Sequence, residues 1–298
     1  MKTKTKSLEE LKETVRKKYS EISEQGKEYN ARSCCGAGGD STKVYNIMTD
    51  DYSELEGYNA DADLGLGCGL PTQFAQIKKG DYVIDLGSGA GNDCFVARHE
   101  AGETGKVLGI DFVEPMIKKA RQNADKLGFN NVEFRYGDIE EMPVSDNVAD
   151  VVVSNCVLNL VPNKPNVFAE IFRVLKPGGH FSISDIVLEG ELPDALREDA
   201  EMYAGCVSGA IQKQTYLDHI KEAGFENITI QKEKPIEIPN DILSQYLNEE
   251  EISEFNTGGT GIYSITVFAQ KSGGTEKKEV TMIGSDEAGF CAPGSGCC

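Results

Sequence analysis

The sequence predicts an α/β protein built on a doubly wound, mostly parallel sheet with helices on both faces. Three observations carry that expectation. Five β-rich runs between Tyr82 and Val187 alternate with helical segments, the pattern of successive βαβ units. The first run, "YVIDLG", feeds a glycine loop, "GSGAGND", that opens a helix. The second, "KVLGID", ends on an acid, Asp111.

The elements follow in order. Leu8, Leu11, Val15, Tyr19 and Ile22 recur at helical spacing, and Ser7 with Glu10 resembles a capping box. An N-terminal helix packed on the domain is expected there. "ARSCCGAGGDST" is turn-like and carries Cys34 and Cys35. After "YVIDLG" comes the helix "AGNDCFVARHEAG", ending near Gly102. After "KVLGID" comes "PMIKKARQNADKLG", with Pro115 early and Gly128 late, as helix ends prefer. "VEFRYGD" and "ADVVVSN" read as strands, "KPNVFAEIFRVLKPGG" as a helix stopped by Pro-Gly-Gly, and "HFSISDIV" as the fifth strand. Beyond Val187, "LPDALREDAEMYAGCVSGA" and "KQTYLDHIKEAGF" read as helices. "NITIQKEKPIEI" and "YSITVFAQK" alternate like strands that either return to the sheet or form a small cap. The expected organisation is an N-terminal helix and thiol loop over 1–60, a cofactor domain over 61–188, a substrate-covering region over 189–271, and a Cys-containing tail over 272–298 with little order.

Composition narrows the function. The net charge is −19 over 298 residues, a surface that repels nucleic acid and anionic membranes, so neither is expected as a partner. The apolar share of 39% suits a globular chain with a real core. No apolar run reaches membrane-spanning length, and "MKTKTKSLEELKE" lacks the apolar stretch of a signal peptide. A cytoplasmic location is expected. There the nine cysteines argue against a disulfide framework, and no C-x-x-C pair points to zinc.

The glycine loop is the strongest local signal. Gly87, Gly89 and Gly91 follow G-x-G-x-G spacing rather than the G-x-G-x-x-G of dinucleotide folds. Asp85 just before the loop is a poor neighbour for phosphates and a good one for a zwitterionic, sulfonium-bearing ligand. Asp111, at the end of the second strand, can accept from both ribose hydroxyls. Asp138 and Ile139, after the third strand, fall where an adenine would stack. Ser88 and Asn92 in the loop, Phe112 and Met116 after the second strand, and Asn155 at the end of the fourth complete the candidate cofactor set. This three-part layout resembles the class I S-adenosylmethionine-dependent methyltransferases, which implies S-adenosyl-L-methionine as the ligand; a nucleotide-binding domain with different chemistry is the alternative.

Cys156 follows Asn155 where the fourth strand hands over to a loop, so a strand-tip cofactor would lie beside it. Cys68 stands in the Gly-rich "LGLGCGLP", and Cys206 in "AGCVSGA". Cys94, on the helix behind the glycine loop, reads as packing. Three soft thiolates favour a thiophilic centre. Trivalent arsenic binds thiolates in a pyramid and keeps a lone pair that can attack a methyl group, so no general base and no permanent metal are needed.

"DLGSGAGNDC", "VVVSNCVLNLVP", "RVLKPGG", "GCVSGA" and "CGL" together resemble the arsenite S-adenosylmethionine methyltransferases. The likeness covers about residues 10 to 270. The resemblance implies a class I methyltransferase fold and the methylation of arsenite in detoxification. It implies that Cys156 and Cys206 hold arsenic(III), that Cys68 is the third thiol, and that Cys34 or Cys35 forms a disulfide with Cys68 during the cycle. Arsenicals would arrive as thiol conjugates, and thioredoxin or glutathione would restore the enzyme. Two other readings stand beside it. A carbon or oxygen methyltransferase of sterol or quinone type would have no use for Cys68 and Cys206. A non-catalytic thiol metalloid binder would consume no cofactor.

Overall fold

The computed structural model describes residues 8–24, 50–193, 209–238, 240–258 and 260–273. The expected capping box at Ser7, the expected helix around Cys206, the Cys34–Cys35 loop and the tail with Cys291, Cys297 and Cys298 lie outside them.

Seven strands form one sheet: β1 (Tyr82–Leu86), β2 (Lys106–Asp111), β3 (Val132–Tyr136), β4 (Ala149–Asn155), β5 (Leu175–Glu189), β6 (Phe225–Pro235) and β7 (Gly261–Lys271). Their order across the sheet is β3-β2-β1-β4-β5-β7-β6. β1 pairs in parallel with both β2 and β4, and β4 with β5. β7 runs antiparallel between β5 and β6. The chain leaves β1 in one direction and later returns on its other side. That reversal opens a crevice outside the carboxyl ends of β1 and β4.

Strand periodicity divides the core. Val83, Val107, Val151 and Val153 face one way, against α3 (Asn92–Ala101) and α4 (Glu114–Leu127). Ile84, Leu108, Val152 and Ile183 face the other way, against α5 (Lys164–Val174) and α6 (Lys213–Glu222). Pro115 sits in the first turn of α4 and Gly128 caps its end in the left-handed conformation, as the sequence led one to expect. α1 (Leu8–Ser23) buries Val15 and Ile22. A third apolar cluster lies at the carboxyl edge of the sheet. It joins Cys68 and Cys156 to Leu160, Ile186, Ile262, Leu243 and Leu247.

Two expectations change. The helix α5 stops at Val174, before Pro-Gly-Gly, and β5 already begins at Leu175. Leu175 pairs with Ala149 and His180 with Val151, so Lys176–Gly179 bulge out of the ladder as a kink inside the strand. The boundary expected after residue 188 falls inside a continuous sheet. β6 and β7 return to it as its edge pair, because β7 zips along β5 from His180–Gln270 to Glu189–Gly261. The segment between them, with α7 (Asn240–Leu243) and α8 (Glu249–Thr257), packs Leu243 and Leu247 onto the thiol-bearing cluster.

Phe181 anchors the second core face. It is fully buried and lies edge-on to Phe225, with ring centroids 4.8 Å apart. Phe181→Ala is expected to cost ~3–5 kcal/mol of unfolding free energy, read from the shift in urea midpoint. A loss below about 1 kcal/mol would show that this face does not carry the core.

Candidate active site

The crevice at the switch point is walled by the glycine loop, the ends of β2 and β4, and α1. Asp85, Gly87, Ser88, Gly89, Asn92, Asp111, Phe112, Met116, Asp138, Ile139 and Asn155 all line it. Gly91 does not. It caps the start of α3, and a Cβ there would come within 2.9 Å of the Phe95 and Phe134 rings. Its backbone therefore packs closely at the start of α3. Gly89 is the opposite case: a Cβ would meet nothing within 4 Å.

The wall is polar and partly unsatisfied. The Ser88 hydroxyl and the Asn92 side-chain oxygen are buried without a hydrogen-bond partner, which a native interior seldom leaves so. Asp111 accepts from the amides of Gly89 (2.9 Å) and Val113 (2.8 Å), with lone pairs to spare for a ligand's hydroxyls. Burial still pushes its pKa up to about 6, against the stabilising amides. Asp93, at the start of α3, is likewise pushed to about 6 by burial, although Tyr52, Asn155 and Thr72 donate to it. Asp85 is held well above the carboxylate range by burial and by the nearby charges of Asp93 and Asp111. The Cys94 thiol donates to Asp85 at 3.2 Å. Cys94 therefore packs, as expected, and also steadies an acid of the wall. Orphaned acceptors, a Cβ-free approach at Gly89 and several buried acids fit a polar, cationic ligand such as S-adenosylmethionine.

At the far end of the crevice Lys12 of α1 pairs with Asp138 at 2.6 Å and also with Glu140. Lys12, Val15 and Tyr19 line the crevice. The N-terminal helix thus forms part of the ligand wall as well as packing on the domain.

β4 delivers the other end. The Asn155 carboxamide oxygen accepts from the Cys68 amide at 3.0 Å, and its nitrogen donates to the Gly69 carbonyl at 2.9 Å. The Cys68 carbonyl accepts from Ser264 of β7 at 2.5 Å. Such close approach excludes side chains on either side of Cys68. A Cβ on Gly67 would come within 2.6 Å of the Asn155 amide, and one on Gly69 within 2.5 Å of the Ser184 hydroxyl. "GCG" is therefore a requirement of the backbone lying flat across the strand ends.

Cys156 takes the next position. Its φ is +61°, a left-handed conformation rare for a residue with a Cβ, and its amide donates to the Ser184 carbonyl at 2.8 Å. The turn carries its side chain to the crevice wall. Cys68 is fully buried and Cys156 nearly so, within one apolar cluster. Tyr216 is raised well above its ordinary pKa by burial, then by Asp185, Cys68 and Cys156. Cys156 lines the crevice, while Cys68 packs in the same apolar cluster without lining it; Cys206 is outside the described residues. The sequence reasoning missed Tyr52, Asp93 and Lys12. Asp93 follows the glycine loop directly and had a signal in its position. Tyr52 had none, because it reaches the site through the path of an irregular loop.

Residues 77–233 match the family model for a methyltransferase domain. The arsenite methyltransferase of Halobacterium salinarum is 40% identical over 265 residues, covering 85% of this chain and 66% of its own length. That of Aquipseudomonas alcaligenes is 31% identical over 246 residues, covering 80% of this chain and 69% of its own. Among solved structures, the arsenic(III) S-adenosylmethionine methyltransferase of Chlamydomonas reinhardtii superposes with a TM-score of 0.59 at 32% identity. That match covers 70% of this chain and 68% of the other. The chain thus spans about two thirds of the length of these relatives.

The buried acids make ligand binding depend on pH. A folded-state pKa near 6 at Asp93 and Asp111 means that the charge is present above that pH and lost below it. A cationic ligand prefers the ionised acids. Affinity for S-adenosylmethionine is expected to fall ~10-fold per coupled proton from pH 7 to pH 5, measured by titration calorimetry. A flat profile across that range would contradict this picture of the wall.

Proposed function

The chain belongs to the arsenite methyltransferase family, and on that premise we propose that it transfers methyl groups from S-adenosylmethionine to trivalent arsenic held by thiolates. One observation carries the reading. Asn155 fastens the Cys68 peptide to the end of the strand that bears Cys156, on the wall of the crevice. Cys156 reaches the crevice wall through a left-handed backbone, which supports its reading as a soft ligand beside the cofactor.

In this mechanism Cys68, Cys156 and Cys206 hold arsenic(III), taken from a thiol conjugate by exchange. S-adenosylmethionine, when bound, supplies a methyl group on a positively charged sulfur. Asp111, Ser88 and Asn92 bind and orient that ligand, and the apolar residues around the thiols, Leu160 and Ile186 among them, keep water from the arsenic. The arsenic lone pair forms the new bond to carbon as the bond from carbon to sulfur breaks. Arsenic is thereby formally oxidised by two electrons. A disulfide formed between Cys68 and Cys34 or Cys35 returns them, and thioredoxin or glutathione then reduces the disulfide. Proximity and orientation supply the rate enhancement.

Among the described residues no helix is long and apolar enough to cross a membrane. We place the reaction in the cytoplasm, where thiol reductants are abundant. A carbon or oxygen methyltransferase would leave the position of Cys68 without purpose.

Cys156→Ser and Cys206→Ser are each expected to lower the methylation of arsenite at least ~100-fold, a loss of about 2.7 kcal/mol in transition-state binding. Affinity for S-adenosylmethionine should stay within about threefold, a change below ~0.7 kcal/mol. Product speciation and S-adenosylhomocysteine release measure this. Near-wild-type turnover in both variants would refute thiolate catalysis, and arsenite binding without S-adenosylhomocysteine release would make the protein a binder.

A further inference from the structure

A buried chain of hydrogen bonds runs behind the thiol loop, and its phenol, Tyr52, has no role in the mechanism above. The Tyr52 hydroxyl lies 3.0 and 2.9 Å from the two oxygens of Asp93. It is also 3.2 Å from the Gly69 carbonyl. The Asn155 nitrogen donates to the Tyr52 oxygen and, at 3.3 Å, to Asp93. Thr72 reaches Asp93 from α2 (Pro71–Phe74). Tyr52 and Asp93 are both buried.

The polarity of this chain decides the orientation of one amide. A carboxamide can turn end for end at little intrinsic cost. Turned, Asn155 would oppose its NH2 to the Cys68 amide and its oxygen to the Gly69 carbonyl, two repulsive contacts. In the observed orientation its nitrogen needs a second acceptor besides Gly69. Tyr52 supplies one, because its own proton is committed to Asp93. An ionised carboxylate only accepts, so the direction of the whole chain starts at Asp93 and ends at Cys68. Linked bonds of this kind reinforce one another in a dry interior.

We propose that Tyr52 is a positioning residue: its phenol, anchored on Asp93, locks the Asn155 amide in the orientation that holds Cys68 at the arsenic site. The inference rests on Cys68 being an arsenic ligand. Tyr52 acts through Asn155 and need not touch arsenic. Its ring packs with Leu70 and Val96, so Tyr52→Phe keeps the packing and removes only the hydroxyl.

The test uses the full-length reduced protein with S-adenosylhomocysteine present and arsenite as the probe. Tyr52→Phe is expected to weaken arsenite binding ~10-fold, equivalent to about 1.4 kcal/mol. It should also speed iodoacetamide alkylation of Cys68 relative to Cys156, read by peptide mass spectrometry. S-adenosylhomocysteine affinity should change little. Tyr58→Phe removes a comparable phenol bond, to Asp63 at 3.1 Å, and should change neither readout. Unchanged arsenite affinity and unchanged Cys68 reactivity in Tyr52→Phe would overturn the positioning role, as would a lower melting temperature with both readouts intact. Cys68→Ser separates the two levels. If it binds arsenite like wild type, the ligand role of Cys68 falls and the inference with it. If it binds weakly while Tyr52→Phe binds normally, only the inference falls.

Discussion

The structure depends on one carboxamide. Asn155 ends β4 and grips both sides of the Cys68 peptide group region, amide on one side and Gly69 carbonyl on the other. That grip, with the Ser264 hydroxyl on the Cys68 carbonyl, holds the loop from Gly67 to Gly69 flat on the strand ends. Its glycines, the serine and threonine hydroxyls of β5 and β7 beneath it, and the buried phenol and carboxylate behind it all serve the same placement. Ser184 and Thr266 share a hydrogen bond of 2.9 Å under the loop, so the floor is satisfied and firm. Cys156, one residue on, turns through a left-handed backbone that costs of order 1–3 kcal/mol in general. Such strain at a strand end is found where a side chain must be aimed.

The crevice in front of this anchor is lined by buried acids. Asp85, Asp93 and Asp111 are all buried, and burial raises the pKa of each. Anions gathered in this way repel one another and prefer a cation between them. A sulfonium is such a cation; its demethylated product is neutral. The pairing of Lys12 with Asp138 and Glu140 keeps two further acids at the far end from adding to that repulsion.

Much of the fold and of the site was legible in the chain. Period-two strands, the glycine loop and Asp111 announce a strand-end crevice, because spacing along a strand fixes which residues reach its tip. Cys156 was legible for the same reason. Legibility ended where position depends on loop path. Tyr52 comes from an irregular segment, and nothing in its neighbours marks it. The close packing of Gly91 against aromatic rings comes from neighbours distant in the chain, which the glycine motif does not show. The Pro-Gly-Gly after α5 looked like a helix stop, but the strand ladder had already claimed Leu175. Whether the last two strands return to the sheet was open in the sequence. It was settled by the length of β5, which runs from Leu175 to Glu189 and offers β7 a full edge.

The central claim is that arsenic(III) sits on sulfur from Cys68, Cys156 and Cys206 at the crevice. X-ray absorption at the arsenic edge, on full-length protein loaded with stoichiometric arsenite, tests it most directly. The account predicts a first shell of sulfur alone in the wild type. It predicts the loss of one sulfur neighbour, with oxygen taking its place, in Cys68→Ser and in Cys156→Ser. A shell containing oxygen in the wild type, or one unchanged by both substitutions, would contradict it.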